Sequence, residues 1–506
     1  MKDKLQELVK RRHPLYEAML DHWNFVEATY EGGKAWFADN IFRYLKEGDT
    51  EYGDRVKRAY RFNHTKQVVD LVDKYIFKMP VARSEDAPDF MKRFWKLATL
   101  NGLDIDAFMK RVSSMSSQYG RPYIVIDSTA SAGAVISVAD EAANQVRVYA
   151  YLVRPQDMLD ISYDELGQIR WALVREVIRD DEDPFEGSGD FVNRYRLWTR
   201  DTWTLFEEIK EKGKTKVIEV DAGIHNLGVV PIIQADHIFS EERFSAPGLV
   251  DDIAYLDRAN ANYLSNLDAI IQDQTFSQMT LPAQGVLPGE TGYDKLIEAS
   301  TKRAFIYNGE AGQKPEFIAP DPRQAQLILS AIGKIINEIY HSVGLSAERT
   351  KEDNGGGVDN SSGVAKAYDF ERVNSLLVSK ATALERVELQ LTSVVSLWNG
   401  KKPPADALVA YSRDFDVRSL YDEFEIGSNL MVMNAPDEVR REQMRSLIKK
   451  LFPMAAKELA SRLESSLKDW PPEPPPEEGL GSAGSKSAGS KVKAAGTQKT
   501  AKKLTA

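Results

Sequence analysis

The chain contains no cysteine. That removes disulfide frameworks, cysteine-ligated zinc, iron–sulfur clusters and thiol nucleophiles, and it fits a reducing or redox-indifferent setting. Histidine is sparse: His13, His22, His64, His225, His237 and His341 are scattered, and none pairs with another or with a carboxylate at HExxH spacing. Long apolar runs are missing too. The longest strongly apolar stretch, Leu327–Ile336, falls short of the ~18–20 residues of a membrane helix, and the charged start MKDKLQELVKRRHP lacks the apolar centre of a signal peptide. There is no basic excess, since 66 Lys and Arg face 76 Asp and Glu, for a net charge of −10. The segment after Trp470 holds six lysines and three glutamates, so +3 of that total sits in the tail and −13 on the rest. A basic nucleic-acid coat is excluded. The expectation is a soluble intracellular protein or assembly subunit without cofactor, metal or membrane contact.

What is present is length and hydrophobicity for several domain-sized units: 506 residues, 42% of them hydrophobic. The first third reads as mixed α and β. Val68, Val69, Val72, Tyr75 and Ile76 make an apolar stripe that predicts a helix over Thr65–Lys78, stopped by Pro80. Pro122–Asp127, Val146–Val153, Ile169–Ile178 and Tyr195–Phe206 are β-rich, Asp180–Asp190 is a turn-rich acidic loop, and Gly213–Lys214 marks a hairpin. From Leu249 long helices dominate. Leu249, Ile253, Leu256, Asn260, Tyr263, Leu267 and Ile270 recur at alternating steps of four and three, a narrow seam that calls for neighbouring helices. Pro282, Pro288, Gly289 and Gly292 break that helix, and Thr280–Pro320 reads as a small αβ insertion with strands near Arg303–Tyr307 and Pro315–Ile318. A second helix is expected over Pro322–Val343. Then come a polar, Gly-rich loop (Leu345–Gly363), a third helix over Val364–Trp398, a short β-like run (Ala407–Asp414), a helical patch (Pro436–Leu467) and a low-complexity tail. The fold class is α+β.

Catalytic motifs fail on inspection. Gly213-Lys214-Thr215 resembles the end of a phosphate loop, but Glu208 stands where its first glycine belongs and the setting is a hairpin. Gly344-Leu345-Ser346-Ala347 starts a nucleophile elbow that Glu348 leaves unclosed. Gly479, Gly481 and Gly484 spell GxGxxG inside the tail, with no strand or helix to hold a pyrophosphate. The Asp180–Asp183 run is a solvated loop before it is a cation site.

The order of parts resembles the portal proteins of tailed bacteriophages, of the type found in siphophages of Gram-positive hosts. The segments that carry the resemblance are NHTKQVVDLVDKYIFKMP (Asn63–Pro80), Gln118-Tyr119-Gly120 before PYIVID, VRPQD (Val153–Asp157), HNLGVVP (His225–Pro231) and GLVDDIAYLDRANANYLSNLDAIIQ (Gly248–Gln272). Lys78 departs from the glycine usual in the first of these. The likeness covers about Trp23 to Leu467. It implies a wing over 1–246, a stem helix over 247–275, a clip over 276–321 and a returning stem helix over 322–343. A tunnel loop over 344–363, the rest of the wing with its long spine helix over 364–425, a crown over 426–469 and a disordered tail over 470–506 would follow.

It further implies a ring, usually dodecameric, at one capsid vertex, through which double-stranded DNA is packaged and ejected. The implied partners are the terminase large subunit and head-completion adaptors at the clip, and scaffolding and major capsid proteins at the wing. The implied location is the virion, with the host cytoplasm during assembly. Arg349, Lys351 and Asn354 are expected on the DNA side of the tunnel loop, and Asp251, Asp252, Asp257, Asp268 and Asp273 on the channel wall. Carboxylates suit a conduit, because tight binding of DNA comes from Lys and Arg neutralising phosphates. The alternatives are a packaging-associated ATPase or nuclease, which needs the Gly213 near-miss to be real, and a helical scaffold protein.

Overall fold

The computed structural model describes residues 2–45, 47–129, 146–181, 183–185, 187–211, 214–275, 278–282, 304–307, 314, 316–318, 322–344, 363–413, 415, 425–426, 428–430, 433, 436–452, 457–468 and 470. The chain folds as a mixed α/β structure with long helices and small sheets. It opens with helices α1 (Lys2–Lys10), α2 (Tyr16–Glu31), α3 (Lys34–Asn40), α4 (Asp49–Arg58) and α5 (His64–Ile76). The stripe read from the sequence builds α5: Val68, Val69 and Val72 are wholly buried, and the Asn63 side chain caps the first turn by accepting from Lys66 N–H. After β1 (Ala82–Arg83) come α6 (Asp89–Lys96) and α7 (Ile105–Tyr119). Asp104 caps α7. Gly120 ends it at φ +77°, where an added Cβ would lie 1.7 Å from the Ala246 carbonyl oxygen.

Two sheets follow. In the smaller, β2 (Tyr123–Ser128) lies between β3 (Val148–Val153) and β9 (Ile232–Gln234), all antiparallel. Tyr123, Ile124, Val125 and Ile126 of β2 are all at 0% exposure, so this strand is covered on both faces. The larger is a five-stranded antiparallel meander of β4 (Met158–Tyr163), β5 (Ile169–Arg179), β6 (Phe191–Thr199), β7 (Thr202–Glu211) and β8 (Lys214–Ile224). The single run expected over Tyr195–Phe206 is in fact a hairpin, in which Trp198 pairs with Trp203 and the Thr199 and Thr202 hydroxyls meet at 2.8 Å. Lys214 sits opposite Glu211 at the β7–β8 turn, and strand β8 follows it rather than a helix whose N-terminus could receive a phosphate.

The helices of the second half are α8 (Asp251–Thr275), α9 (Pro322–Ser342) and α10 (Gly363–Trp398). At 1.5 Å per residue α10 is about 54 Å long. Between α8 and α9 lies a three-stranded sheet with β10 (Gln278–Pro282) at its centre, parallel to β11 (Ala304–Tyr307) and antiparallel to β12 (Glu316–Ile318). Strand β10 was not expected, since Pro282 reads as a breaker; here it closes the strand as its last residue. Among the described residues of the expected β-like run, β13 (Val409–Ala410) is strand, pairing with β1. The C-terminal patch is two helices, α11 (Asp437–Leu451) and α12 (Lys457–Lys468), joined by an Arg445–Glu464 ion pair of 2.7 Å.

Side chains from α5, α7, β2, α8, α9 and α10 share one core, among them Val72, Met109, Ile124, Ile253, Ile339 and Leu384. A second core lies under the five-stranded sheet, where Trp23, Met158 and Trp198 are buried. The seam on α8 is therefore covered within the chain. Ile253 and Leu267 are buried, and Leu256 and Tyr263 pack against the first core. The need for neighbouring helices is met along these positions by α5 and α9.

Candidate channel surface and the charges behind it

Helices α8 and α9 form an antiparallel hairpin rooted on α5. At the root, Asp257 accepts from Thr65 N–H (3.1 Å) and Thr65 Oγ1 (2.9 Å), while the Tyr340 hydroxyl donates to Gln67 Oε1 (2.8 Å). Away from the root the cover thins. Ile332, Ile336 and Ile339 are buried, yet Leu327 is 73% and Leu329 53% exposed, and Ile271 on α8 is 47% exposed. The free end of the hairpin thus carries apolar side chains into solvent, with the small β10–β12 sheet at its tip.

The five aspartates expected on a channel wall have different fates. Asp257 is wholly buried, so it faces no channel: Arg61 Nη1 donates to it at 3.0 Å, and Arg61, itself 4% exposed, also donates to Thr29 O and stacks over Trp36 at 4.1 Å. Asp251 accepts from Gly248 N–H (2.8 Å) and meets His22 Nε2 (3.1 Å). Asp268 lies 3.5 Å from Arg58 Nε and accepts from Gln272 Nε2 (3.0 Å). Asp252 is exposed. The side chain of Asp273 lies outside the described residues, as do Arg349, Lys351, Asn354 and the rest of the expected loop from Leu345 to Ser362, while Gly363 opens α10. Arg258, on α8 among these aspartates, stacks over Phe25 (4.5 Å) and Phe42 (5.3 Å). The hairpin is less acidic toward solvent than its sequence suggests, because cations supplied by the N-terminal helices sit against it.

Helix α10 carries charges that periodicity did not single out. Lys380 and Glu388 are both at 0% exposure. Glu388 receives Arg83 Nε (2.7 Å) and the Tyr411 hydroxyl (2.7 Å), and Arg83 also meets Asp106 (2.8 Å). Burial pushes the Glu388 carboxyl up against the pull of Arg83. Lys380 Nζ donates to Ser116 Oγ at 2.6 Å, a Ser–Lys pairing known from nucleophilic catalysis. Both residues are fully buried, so no substrate reaches the hydroxyl. A cleft of about 720 Å³ lies between β9 and α10, lined by Arg121, Asp236, Arg243, Arg386, Val387 and Val394 among others. Its cations are engaged in the wall: Arg121 pairs with Asp236, and Arg386 stacks over Phe239 at 4.5 Å.

No family model matches the chain. Among curated proteins there is likewise no match. Solved structures give similar chains at low identity. A chain from the virion of a native gene transfer agent particle is 14% identical, with 79% of this chain and 92% of that one covered and a TM-score of 0.40. A chain from the neck of an empty particle of that agent, computed with C6 symmetry, is 14% identical over 82% and 98%, with a TM-score of 0.42. One from the neck of the native particle, computed with C12 symmetry, is 12% identical over 76% and 89%, with a TM-score of 0.40. These are loose superpositions.

Among the described residues no group of three or more His, Asp or Glu is placed to hold a metal ion, and no helix is long and apolar enough to cross a membrane. In the acidic loop, Asp180 accepts from Ser188 N–H (3.0 Å) and Ser188 Oγ (2.9 Å), a local turn.

Proposed function

We propose that the chain is a portal protein, a structural subunit that assembles as a ring around a channel for double-stranded DNA at one vertex of a phage-type capsid. The observation that carries this reading is the α8–α9 hairpin. It leaves its own core, exposes Ile271, Leu327 and Leu329, and ends in a three-stranded sheet. A lone hairpin gains nothing from apolar residues there, whereas copies set side by side bury them, and a heterologous contact repeated around an axis closes as a ring. In this reading α8 and α9 are the stem, β10–β12 belong to the clip, and α10 is the spine of the wing. Arg349, Lys351 and Asn354 then lie on the loop that meets DNA, while Asp252, with Asp251 and Asp268 partly neutralised, supplies the carboxylates on the stem. Terminase and head-completion adaptors would dock on the clip, and scaffolding and capsid proteins on the wing.

Electron microscopy of the purified full chain tests this. A ring with a central hole wide enough for a DNA duplex is expected, and monomers or filaments under all assembly conditions would overturn it. The packaging-enzyme alternative predicts ATP turnover by the isolated chain that Lys214→Ala abolishes; none is expected. Deleting Asn354–Gly357 is expected to spare the ring and impair DNA packaging or retention.

A further inference from the structure

Lys380 Nζ has four polar neighbours: Ser116 Oγ at 2.6 Å, His237 Nδ1 at 2.8 Å, the Ser113 carbonyl oxygen at 3.0 Å and Ser117 Oγ at 3.1 Å. An ammonium has three hydrogens to donate, so its shell holds one neighbour too many. His237 is 3% exposed, and its Nε2 is buried without a partner among the described residues. If Nδ1 accepts from the ammonium, the hydrogen of the neutral ring sits on Nε2 with nothing to receive it. If Lys380 is a neutral amine, Nδ1–H donates to its lone pair and Nε2 is a bare acceptor. One set of heavy-atom positions therefore serves two proton placements that differ by a charge.

The facing charge comes from α5. Asp73 accepts from Ser113 Oγ at 2.6 Å, and Asp70, on the same helix, accepts from the Tyr30 hydroxyl at 3.3 Å. Helix α7 contributes only its serines and the segment after β9 only His237. Burial pushes Asp73 up to about 6 in spite of Lys380 and pulls Lys380 down to about 7 in spite of Asp73. His237 is held well below its usual range by burial and by Lys380, so it stays neutral. The cluster also ties three elements together. Gly120 O accepts from His237 N–H (2.8 Å) and Ser117 O from Leu249 N–H (2.8 Å), so the end of α7 holds the segment leading into α8 and, through Lys380, helix α10.

We propose that Lys380 and Asp73, with His237 as the tautomer-switching neighbour, form a proton-operated latch between α7, α10 and the 235–249 segment, loosest when both are charged and tighter when either is neutral. The sign follows from burial. The open state keeps Lys380 protonated toward its ordinary value near 10.5, so raising the pH above about 7 favours the closed state, by at most tenfold per pH unit for one proton. Lowering the pH below about 6 favours it again, because closed Asp73 takes up a proton before open Asp73 does.

Hydrogen exchange of the full chain, followed by mass spectrometry and corrected for intrinsic rates, reads the opening of 235–249 and 376–384 directly, whatever the state of ring assembly. Opening is expected to peak between pH 6 and 7 and to fall several-fold by pH 8.5. Lys380→Met is expected to flatten the alkaline limb and Asp73→Asn the acid limb. If Lys380→Met does not fold, the acid limb in Asp73→Asn decides. Protection in the wild type that is flat across pH 5 to 8.5 would overturn the proposal, as would a limb that persists in its own variant.

Discussion

The sharpest test of the stem's root is Asp257→Ala. The carboxylate is wholly buried and takes three hydrogen bonds, from Arg61 Nη1 and from the Thr65 backbone and hydroxyl. Removing it leaves the Arg61 guanidinium, 4% exposed, without its counter-charge, and burial already depresses the proton affinity of that group. Breaking one side of a buried ion pair costs about 3–5 kcal/mol, and an orphaned Thr65 N–H is worth about 1–3 kcal/mol within the same loss. Replacing both partners with apolar residues removes the uncompensated charge, so Arg61→Met with Asp257→Ala is expected to cost less than the sum of the two single changes. Asp252→Ala, on an exposed neighbour, is expected within about 0.5 kcal/mol of the wild type. Urea unfolding followed by tryptophan fluorescence is the assay, with Trp36 stacked on Arg61 as a local reporter. A loss below about 1 kcal/mol for Asp257→Ala, or additive single and double variants, would refute the buried pair and return Asp257 to the surface.

Three further outcomes are expected. Gly120→Ala places a Cβ against the Ala246 carbonyl at a φ that L residues avoid, so it should cost several kcal/mol and sharply reduce soluble yield; near-wild-type thermal unfolding would count against the α7 turn. Leu327→Asp, at a 73% exposed site, should leave subunit unfolding within about 0.5 kcal/mol of the wild type while sedimentation shows assembly lost, and intact rings would remove the hairpin from the interface. Glu388 has a folded pKa raised by burial, so its contribution is present at low pH and is lost as pH rises from about 4.5 through the folded value. Glu388→Gln should flatten the unfolding free energy over that window, and an unchanged pH slope would contradict the placement of its carboxyl.

Several elements were legible because their signals are local. The stripe of α5, the proline at the start of α9, the long apolar register of α10 and the β-rich strands of the meander each depend on residues a few positions apart. The misses share a different cause. β10 is a strand through its partners β11 and β12, neither of which its own five residues can announce. The hairpin inside Tyr195–Phe206 depends on the pairing of Arg194–Trp198 with Trp203–Glu207 about a turn at Arg200–Asp201, which a run of β-prone residues conceals.

The sequence by itself determined that the chain has no thiol chemistry, carries its acidity on the body and turns to long helices after Leu249. Only the tertiary structure decided what those helices face. The seam of α8 calls for neighbouring helices and the fold supplies them from within the chain, and an aspartate expected on a channel wall is paired with an arginine 196 positions away. Lys380 and Glu388 are singled out by no local pattern, yet both are fully buried, held by groups 264 and 305 positions distant. Periodicity shows that a helix has faces. What covers each face, and therefore which charges are paid for by partners and which meet solvent, is set by chain segments too far apart for any local pattern to relate.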